Sequence, residues 1–203
     1  MDRARRLAAC LVLVVVLLAT VVASGPPSRS DAFEPAAAVG WPVSSLVIGE
    51  VVTGGASASD EYVEVENARG TTVDLDGLEI AYVTSSGSTV TRKATWSAPR
   101  PLAAGQHLLV ANASGAFAAI ADATYSGGFA ATGGAIVLRP VGGGPVDAVA
   151  WGDATNAFVE GTAAPAPPAG SSIERFPGGS AGNGQDSNDN AADFFVQSAP
   201  VPQ

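Results

Sequence analysis

Short stretches in which hydrophobic and polar residues alternate, separated by glycine, proline and serine, run through residues 45–202. In the clearest of them, EYVEVEN at residues 61–67, Val63 and Val65 alternate with glutamates. A period of two is typical of a β-strand with one buried face. The spacing of such stretches predicts about nine strands. They are expected at residues 46–52, 61–67, 78–84, 89–96, 106–113, 135–140, 145–152, 171–176 and 194–198.

Helical periodicity is confined to residues 115–123, which predict one short helix. This segment is too short for the crossover that parallel strands require, so an α/β fold is disfavoured. Gly142-Gly143-Gly144 lies between two predicted strands and predicts a hairpin loop. We therefore expect an all-β protein, an antiparallel β-sandwich, with Trp151 in its core and the indole N–H bonded to a backbone carbonyl.

The first 23 residues have the pattern of a secretory signal peptide. Arg3, Arg5 and Arg6 precede an uncharged run at residues 7–23, and the small residues ending at Ala23 suit a cleavage site. The alternative is a retained membrane anchor, because about 17 residues are at the lower limit for spanning a bilayer. Both readings place the rest of the chain outside the cytoplasm, as a secreted, extracellular or cell-surface protein.

The single cysteine, Cys10, lies within this leader. A lipid-modified cysteine follows the apolar stretch of its signal, whereas Cys10 precedes most of it. Cleavage of the leader would leave no cysteine, so a packed core must supply the stability. Residues 24–44 are rich in alanine, proline and serine and predict a linker, and residues 45–202 predict the folded domain.

The chain is acidic, with 19 Asp and Glu against 10 Lys and Arg. Removal of residues 1–23 takes away one acid and three arginines, and it leaves 18 acids against 7 bases. A surface of this charge repels phosphate backbones, so we expect no nucleic-acid partner. It favours solubility and attracts cations.

Seven segments follow one another in a specific order: LVIGEVV, DEYVEVEN, VDLDGLEI, LAAGQHLLVAN, GGAIVLRPVGGGPVDAVAWG, EGTAAPAPPAGSSIERF and DSNDNAADFFVQSAPVPQ. This order resembles the lamin-tail domain family, in particular its secreted bacterial members. The resemblance spans residues 45–202 and implies an immunoglobulin-like β-sandwich used as a module. Related domains often accompany secreted nucleases or phosphatases or occur in cell-surface proteins, and no segment here predicts such a partner domain.

No catalytic residues are predicted. His107 is the only histidine, it lies in a predicted strand as a surface or edge residue, and no G-x-S-x-G motif accompanies it. Glu64 and Glu66 are about 7 Å apart on one strand face, which is compatible with glycosidase chemistry. Alternating glutamates are, however, typical of a solvent-exposed face, and we expect that arrangement here. Asn112-Ala113-Ser114 matches a glycosylation sequon.

Residues 186–194 (DSNDNAADF) are the most polar stretch of the domain. Four of their side chains, Asp186, Asn188, Asn190 and Asp193, carry oxygen ligands at a spacing that could surround a calcium ion. An EF-hand is excluded. If Asp186 is position one of the calcium loop, position six is Ala191, where glycine is needed, and position twelve is Gln197, where glutamate is needed. The alternative is structural: the Asp and Asn side chains close turns, and Asn190 caps a single helical turn before the last strand.

The sequence thus predicts a secreted or surface-exposed, non-catalytic module that binds an unknown extracellular protein or polymer or acts as a spacer. A membrane contact is expected only if the leader is retained. No cofactor is predicted apart from calcium at the loop of residues 186–193. Two alternatives stay open: a calcium-stabilised surface module, and a weak secreted hydrolase, or an accessory subunit of one, that uses Glu64 and Glu66.

Overall fold

The computed structural model describes residues 41–203, in which twelve β-strands account for most of the regular structure. The predicted signal peptide, Cys10 and most of the predicted linker lie outside the described residues. The strands are β1 (Leu46–Thr53), β2 (Glu61–Asn67), β3 (Val73–Asp74), β4 (Leu78–Thr84), β5 (Val90–Thr95), β6 (Pro101–Leu102), β7 (His107–Asn112), β8 (Ala123–Tyr125), β9 (Gly133–Pro140), β10 (Asp147–Gly152), β11 (Ser172–Arg175) and β12 (Phe194–Gln197).

Two main sheets form the two layers. One has six strands in the order β12-β11-β1-β2-β7-β8, and the other has four in the order β10-β9-β4-β5. Neighbouring strands are antiparallel except β7 and β8, which are parallel. The short pair β3 and β6 forms a separate two-stranded ladder. This arrangement confirms the predicted all-β, antiparallel sandwich.

The inward-facing side chains of both main sheets form one hydrophobic core. Trp151 is fully buried in it and donates its indole N–H to the carbonyl oxygen of Ala130 at 3.1 Å, as the sequence predicts. Tyr82 and Phe129 pack near its ring, with centroids 6.2 and 6.4 Å away. Aromatic burial of this size contributes much of the stability of a domain that has no disulfide among its described residues. Representative core residues are Ile48, Val63, Val65, Ile80, Val110, Ile136, Leu138, Val149 and Ile173.

The described residues contain little helix. The predicted helix at residues 115–123 is wrong in extent: only Ala116–Ala119 form a 3₁₀ turn, and Ala123 already begins β8. A second 3₁₀ turn lies at Gly179–Ala181, and one α-helical turn at Asn190–Asp193. Short turns of this kind make no crossover connection, which agrees with the absence of a βαβ pattern.

A β-bulge in β1 determines which face of the sheet carries the side chain of Glu50. Ile48 pairs with Val65 and Glu50 pairs with Glu64, so Gly49 is an extra residue between them. The insertion shifts the alternation by one position, as a bulge does, and turns Glu50 away from the core. Glu50 therefore shares the outer face of the six-stranded sheet with Glu64.

Candidate functional site

The polar stretch of residues 186–194 packs against β10, the edge strand of the four-stranded sheet. Asn190 Oδ1 accepts a hydrogen bond from the Ala150 N–H at 2.9 Å, and Asn190 Nδ2 donates to the Ala148 carbonyl at 3.1 Å. Glu160 Oε1 accepts from the Ala148 N–H at 3.3 Å, and the Ala164 N–H donates to the Ala150 carbonyl at 2.8 Å. The side chains of Asn190 and Glu160 thus replace part of a missing neighbouring strand, because they satisfy the backbone groups that an edge leaves unpaired.

The helical turn at Asn190–Asp193 has a different cap from the predicted one. Asp189, and not Asn190, is the N-cap residue, and its carboxylate accepts from the Ala191 N–H at 3.2 Å and the Thr162 N–H at 3.1 Å. The prediction fails because Asn190 is buried and its amide is used by β10. Asp189 lies one residue earlier, where a short acidic side chain can reach the free N–H groups of the turn.

Asp193 closes the preceding loop. Its Oδ1 accepts from Ser187 Oγ at 2.7 Å, and its Oδ2 accepts from the Ser187 N–H at 2.8 Å. Gln185 Nε2 also donates to Oδ1 at 3.3 Å. These contacts correspond to the structural alternative of the sequence analysis, in which acidic side chains bond nearby backbone groups and fix a turn.

Asp186 and Asn188, the remaining two predicted calcium ligands, lie at the start of the stretch. Asp186 Oδ1 accepts from the Asn188 N–H at 3.3 Å, and Asn188 has the left-handed φ of 58° that asparagine tolerates. Asn188 Oδ1 is buried without a hydrogen-bond partner in the described part of the chain. Asp186 lies close to two acids that were not predicted as ligands, Asp147 and Glu160. One carboxylate oxygen from each of these three residues lies within 4.8 Å of the other two.

A buried arginine neutralises part of this cluster. Arg175 is 0% exposed, and its Nη2 donates to both carboxylate oxygens of Asp147, at 3.0 and 2.8 Å. Its Nε donates to the Ile48 carbonyl at 2.9 Å and its Nη1 to the Gln185 carbonyl at 2.8 Å. Asp147 also accepts from the Ile48 N–H at 2.5 Å. A buried ion pair holds only with such additional hydrogen bonds, because desolvation of both charges is costly.

Two acids of the cluster, Glu160 and Asp147, have a raised pKa. Burial raises the pKa of Glu160 to about 8, and the nearby carboxylate of Asp147 adds to the shift while Arg175 opposes it. Burial likewise raises the pKa of Asp147 to about 6, against the lowering effect of Arg175. A divalent cation could replace the missing positive charge, since calcium prefers carboxylate oxygens. The oxygens of Asn190 and Asp193 are already occupied by N–H and O–H donors.

The glutamates considered for glycosidase chemistry are not on a solvent-exposed face, so that expectation is wrong. Glu64 is 0% exposed and Glu66 is 6% exposed, because two segments, residues 178–185 and 198–203, lie over them. The Asn183 N–H donates to Glu66 at 2.8 Å, and the Gln203 N–H donates to Glu64 at 2.7 Å. Alternation in the sequence reports which residues share a face, but it does not report what covers that face.

His107 is largely shielded from solvent. It begins β7 beside β2, and the pairing of β7 with β8 covers only Val110–Asn112. Its Nδ1 is 2.6 Å from Glu64 Oε1 and its Nε2 is 3.9 Å from Glu66 Oε1. Its side chain is 12% exposed, so it is not the exposed surface residue that was predicted, although it lies where β8 does not cover β7. Burial lowers the pKa of His107, but the bond to Glu64 and the charges of both glutamates outweigh that effect and raise the pKa above its usual value.

A third polar cluster includes the asparagine of the sequon. Asn112 is 6% exposed, and its Nδ2 donates to Glu61 Oε2 at 3.0 Å and to the Gly127 carbonyl at 3.3 Å. Lys93 reaches in from the opposite sheet, with its Nζ 4.8 Å from the centroid of Tyr125. The ammonium group over an aromatic ring gains cation–π stabilisation, so this cluster ties the two layers together at one end of the sandwich.

The sequence pattern does not single out Asp147, Glu160 or Arg175 as site residues, although the position of Arg175 carries a signal. In SSIERF, Arg175 is two residues after Ile173 and shares its inward-facing side of the strand. A charge at an inward position requires a buried partner. The identity of that partner was not readable, because Asp147 comes from the other sheet and is 28 residues earlier in the chain.

Two mainly antiparallel sheets packed face to face around a shared apolar core define an immunoglobulin-like β-sandwich. The model of the Lamin Tail Domain family matches residues 42–153, more than half of the chain, and the chain belongs to that family. This confirms the family to which the sequence was assigned by resemblance. Among curated proteins, none matches the chain. No helix within residues 41–203 has the length and apolar character required to cross a membrane.

Proposed function

We propose that residues 45–202 form a non-catalytic module that binds an extracellular protein or polymer, or that acts as a spacer between such partners. The proposal is supported by membership of the Lamin Tail Domain family, whose members share an immunoglobulin-like fold. The main observation behind it is that the two candidate catalytic residues, Glu64 and Glu66, form hydrogen bonds inside the domain. Glu64 accepts from His107 and from Gln203, and Glu66 accepts from Asn183. A catalytic pair has to face a cleft that its substrate can enter.

The binding role is tested by affinity capture. The exported protein is immobilised and exposed to the envelope fraction of its own organism, with calcium in one arm and a chelator in the other. Each captured component is then produced separately, and its binding is measured by calorimetry. Saturable binding of one component supports the proposal, and the absence of saturable binding for every component contradicts it.

The non-catalytic part of the proposal has its own test. Pure protein is assayed against nucleic acid, phosphate esters and glycans, next to Glu64→Gln and the exposed control Asp76→Asn. We expect no turnover in any of the three. Hydrolysis that Glu64→Gln abolishes and Asp76→Asn retains would instead establish the weak-hydrolase alternative.

Export is part of the same proposal and rests on the leader pattern of residues 1–23. The intact mass of protein recovered from the culture medium distinguishes cleavage after Ala23 from retention. Protein that fractionates only with membranes and keeps its full mass would point to an anchor. Recovery from the cytosol would contradict export altogether.

A second candidate, a calcium-stabilised module, is favoured by the carboxylates of Asp147, Glu160 and Asp186, whose oxygens lie within 4.8 Å of one another. A ligand bound only by the native state raises the melting temperature. Calcium at millimolar concentration should then raise the Tm of the wild type and of the exposed control Asp153→Asn, but not of Asp186→Asn. An unchanged wild-type Tm in calcium and in chelator removes this candidate.

A further inference from the structure

Four buried glutamates and one histidine share the outer face of the six-stranded sheet. We call this set the acidic face. Glu50 on β1 is directly opposite Glu64 on β2 and also directly opposite Glu174 on β11. Like charges at directly opposite positions of a sheet destabilise it. The members of the acidic face are Glu50, Glu64, Glu66, Glu174 and His107.

The positive charge available to the acidic face is small. Among the residues the structure describes, His107 is the only basic side chain within 4.0 Å of these carboxylates. The groups that bond to Glu50 are the hydroxyls of Tyr62 and Ser172, each at 2.5 Å. These neutral donors stabilise a carboxylate but cannot cancel its charge.

Two segments, residues 178–185 and 198–203, lie over the acidic face, and we call them the cover. The cover is attached by neutral donors: the Gly179 N–H donates to Glu174 at 2.5 Å, and the Asn183 and Gln203 N–H groups donate to Glu66 and Glu64. Gln203 Nε2 also donates to Asn183 Oδ1 at 3.4 Å, which links the two segments. Residues 198–203 belong to no strand, so few backbone bonds hold them to the sheet.

We propose that the acidic face and its cover form a pH-sensitive latch. The cover is held most firmly at acidic pH and loosens as the pH rises to neutrality, which admits water to the glutamates. Opening of the cover is driven by the increasing negative charge of the buried acidic face, whose only nearby base is His107 among the residues the structure describes. Lifting of the cover replaces a desolvated cluster of like charges with a hydrated one.

Glu50 supplies the first change in charge. Burial raises the pKa of Glu50 to about 7, the hydrogen bonds from Ser172 and Tyr62 oppose that rise, and the charges of Glu174 and Glu64 add to it. Glu50 therefore gains its negative charge as the pH passes through neutrality. It does so between two other glutamates, which is where the new charge is most unfavourable.

His107 supplies the second change in the same direction. Burial lowers the pKa of His107, but the hydrogen bond to Glu64 and the charges of Glu64 and Glu66 raise it overall. At higher pH it loses its proton and the acidic face loses its basic member. Both titrations make the face more negative, so both weaken the cover as the pH rises.

Hydrogen exchange read by mass spectrometry tests the latch in the full exported protein at about pH 5 and about pH 8, after correction for the intrinsic pH dependence of exchange. Glu50 binds its proton more tightly under the cover than in water, so opening releases that proton between pH 4.5 and about 7. In that range the opening equilibrium of residues 178–185 and 198–203 should increase by up to about tenfold per pH unit from Glu50 alone, and it should level off once Glu50 is ionised in both states. Strands β4 and β9, in the other sheet, serve as the internal reference and should stay protected. Equal protection of the cover at both pH values overturns the proposal, and so does equal loss of protection in β4 and β9.

Two variants separate the latch from general loosening. Glu50→Gln keeps a side chain of the same shape without the charge, and its cover should remain protected at the higher pH. His107→Lys keeps a cation on the face and should move the opening to higher pH. The exposed control Asp76→Asn should behave as the wild type. A cover that opens identically in all four proteins contradicts the assignment to this face, and the wild-type comparison decides the question if one variant does not fold.

Discussion

The Asp147–Arg175 ion pair joins the two sheets of the sandwich. Asp147 begins β10 in the four-stranded sheet and Arg175 ends β11 in the six-stranded sheet, and Arg175 Nη2 is 2.8 Å from Asp147 Oδ2. The guanidinium is fully buried and bonds to two backbone carbonyls as well. One side chain therefore connects the edge of one layer, the other layer and the loop before the last strand.

Replacement of this arginine should destabilise the domain strongly. Arg175→Met leaves the Asp147 carboxylate buried without its partner, and loss of one member of a buried pair costs about 3 to 5 kcal/mol. Urea unfolding followed by tryptophan fluorescence measures the change. Arg69→Met is the matched control, because Arg69 is exposed, and it should change the unfolding free energy by less than about 0.5 kcal/mol. A loss below about 1 kcal/mol for Arg175→Met would contradict the assigned role.

Asn190→Ala should expose the edge of β10. The variant leaves the Ala150 N–H and the Ala148 carbonyl without partners, and each unsatisfied buried group costs about 1 to 3 kcal/mol. The unfolding free energy should fall by about 2 to 4 kcal/mol, and amide exchange in β10 should accelerate more than in β4. Ser180→Ala, in an exposed turn, is the control. Unchanged exchange in β10 would show that the Asn190 amide does not protect that edge.

A rise in pH from about 4.5 to 8 should destabilise the fold through Glu160. Its pKa rises from 4.5 to about 8 on folding because of burial, so the folded state binds this proton more tightly than the unfolded state. The resulting stabilisation is complete below pH 4.5 and is lost as the pH rises to about 8, with a slope of up to about 1.4 kcal/mol per pH unit. Glu160→Gln should flatten that part of the curve of Tm against pH. A variant curve parallel to the wild-type curve would contradict the shift.

Trp151→Phe should reduce stability by about 1 to 3 kcal/mol, because the ring becomes smaller and the Ala130 carbonyl loses its donor. Trp96→Phe, at a partly buried position, is the comparison and should cost less. Chemical denaturation monitored by far-UV circular dichroism measures both variants without relying on tryptophan emission. An equal cost for the two would mean that the indole N–H adds little to the packing.

Much of the fold could be predicted because strands of six to eight residues carry a readable period. The strands at Glu61–Asn67 and Leu78–Thr84 have the predicted bounds. The short strands β3, β6 and β8 were missed, since two or three residues cannot establish alternation. Their positions depend on partners elsewhere in the fold.

The polar clusters could be predicted only in part. The sequence singled out the stretch that contains Asn190, but its actual partners are on a strand 40 residues earlier. Glu64 was expected to be exposed because nothing local indicates that residues 198–203 return to cover it. Side-chain contacts between distant segments depend on the complete topology, and a local pattern holds no information about them.

The buried position of Asn112 bears on how the protein can be produced. Its amide nitrogen already bonds inside the fold to Glu61, so a sugar cannot be attached there once the domain has formed. Oligosaccharide transfer in a eukaryotic secretory pathway precedes folding, and a sugar added at that stage would keep the asparagine out of the interior. Bacterial expression, or a Ser114→Ala chain in a yeast or animal host, avoids this obstacle.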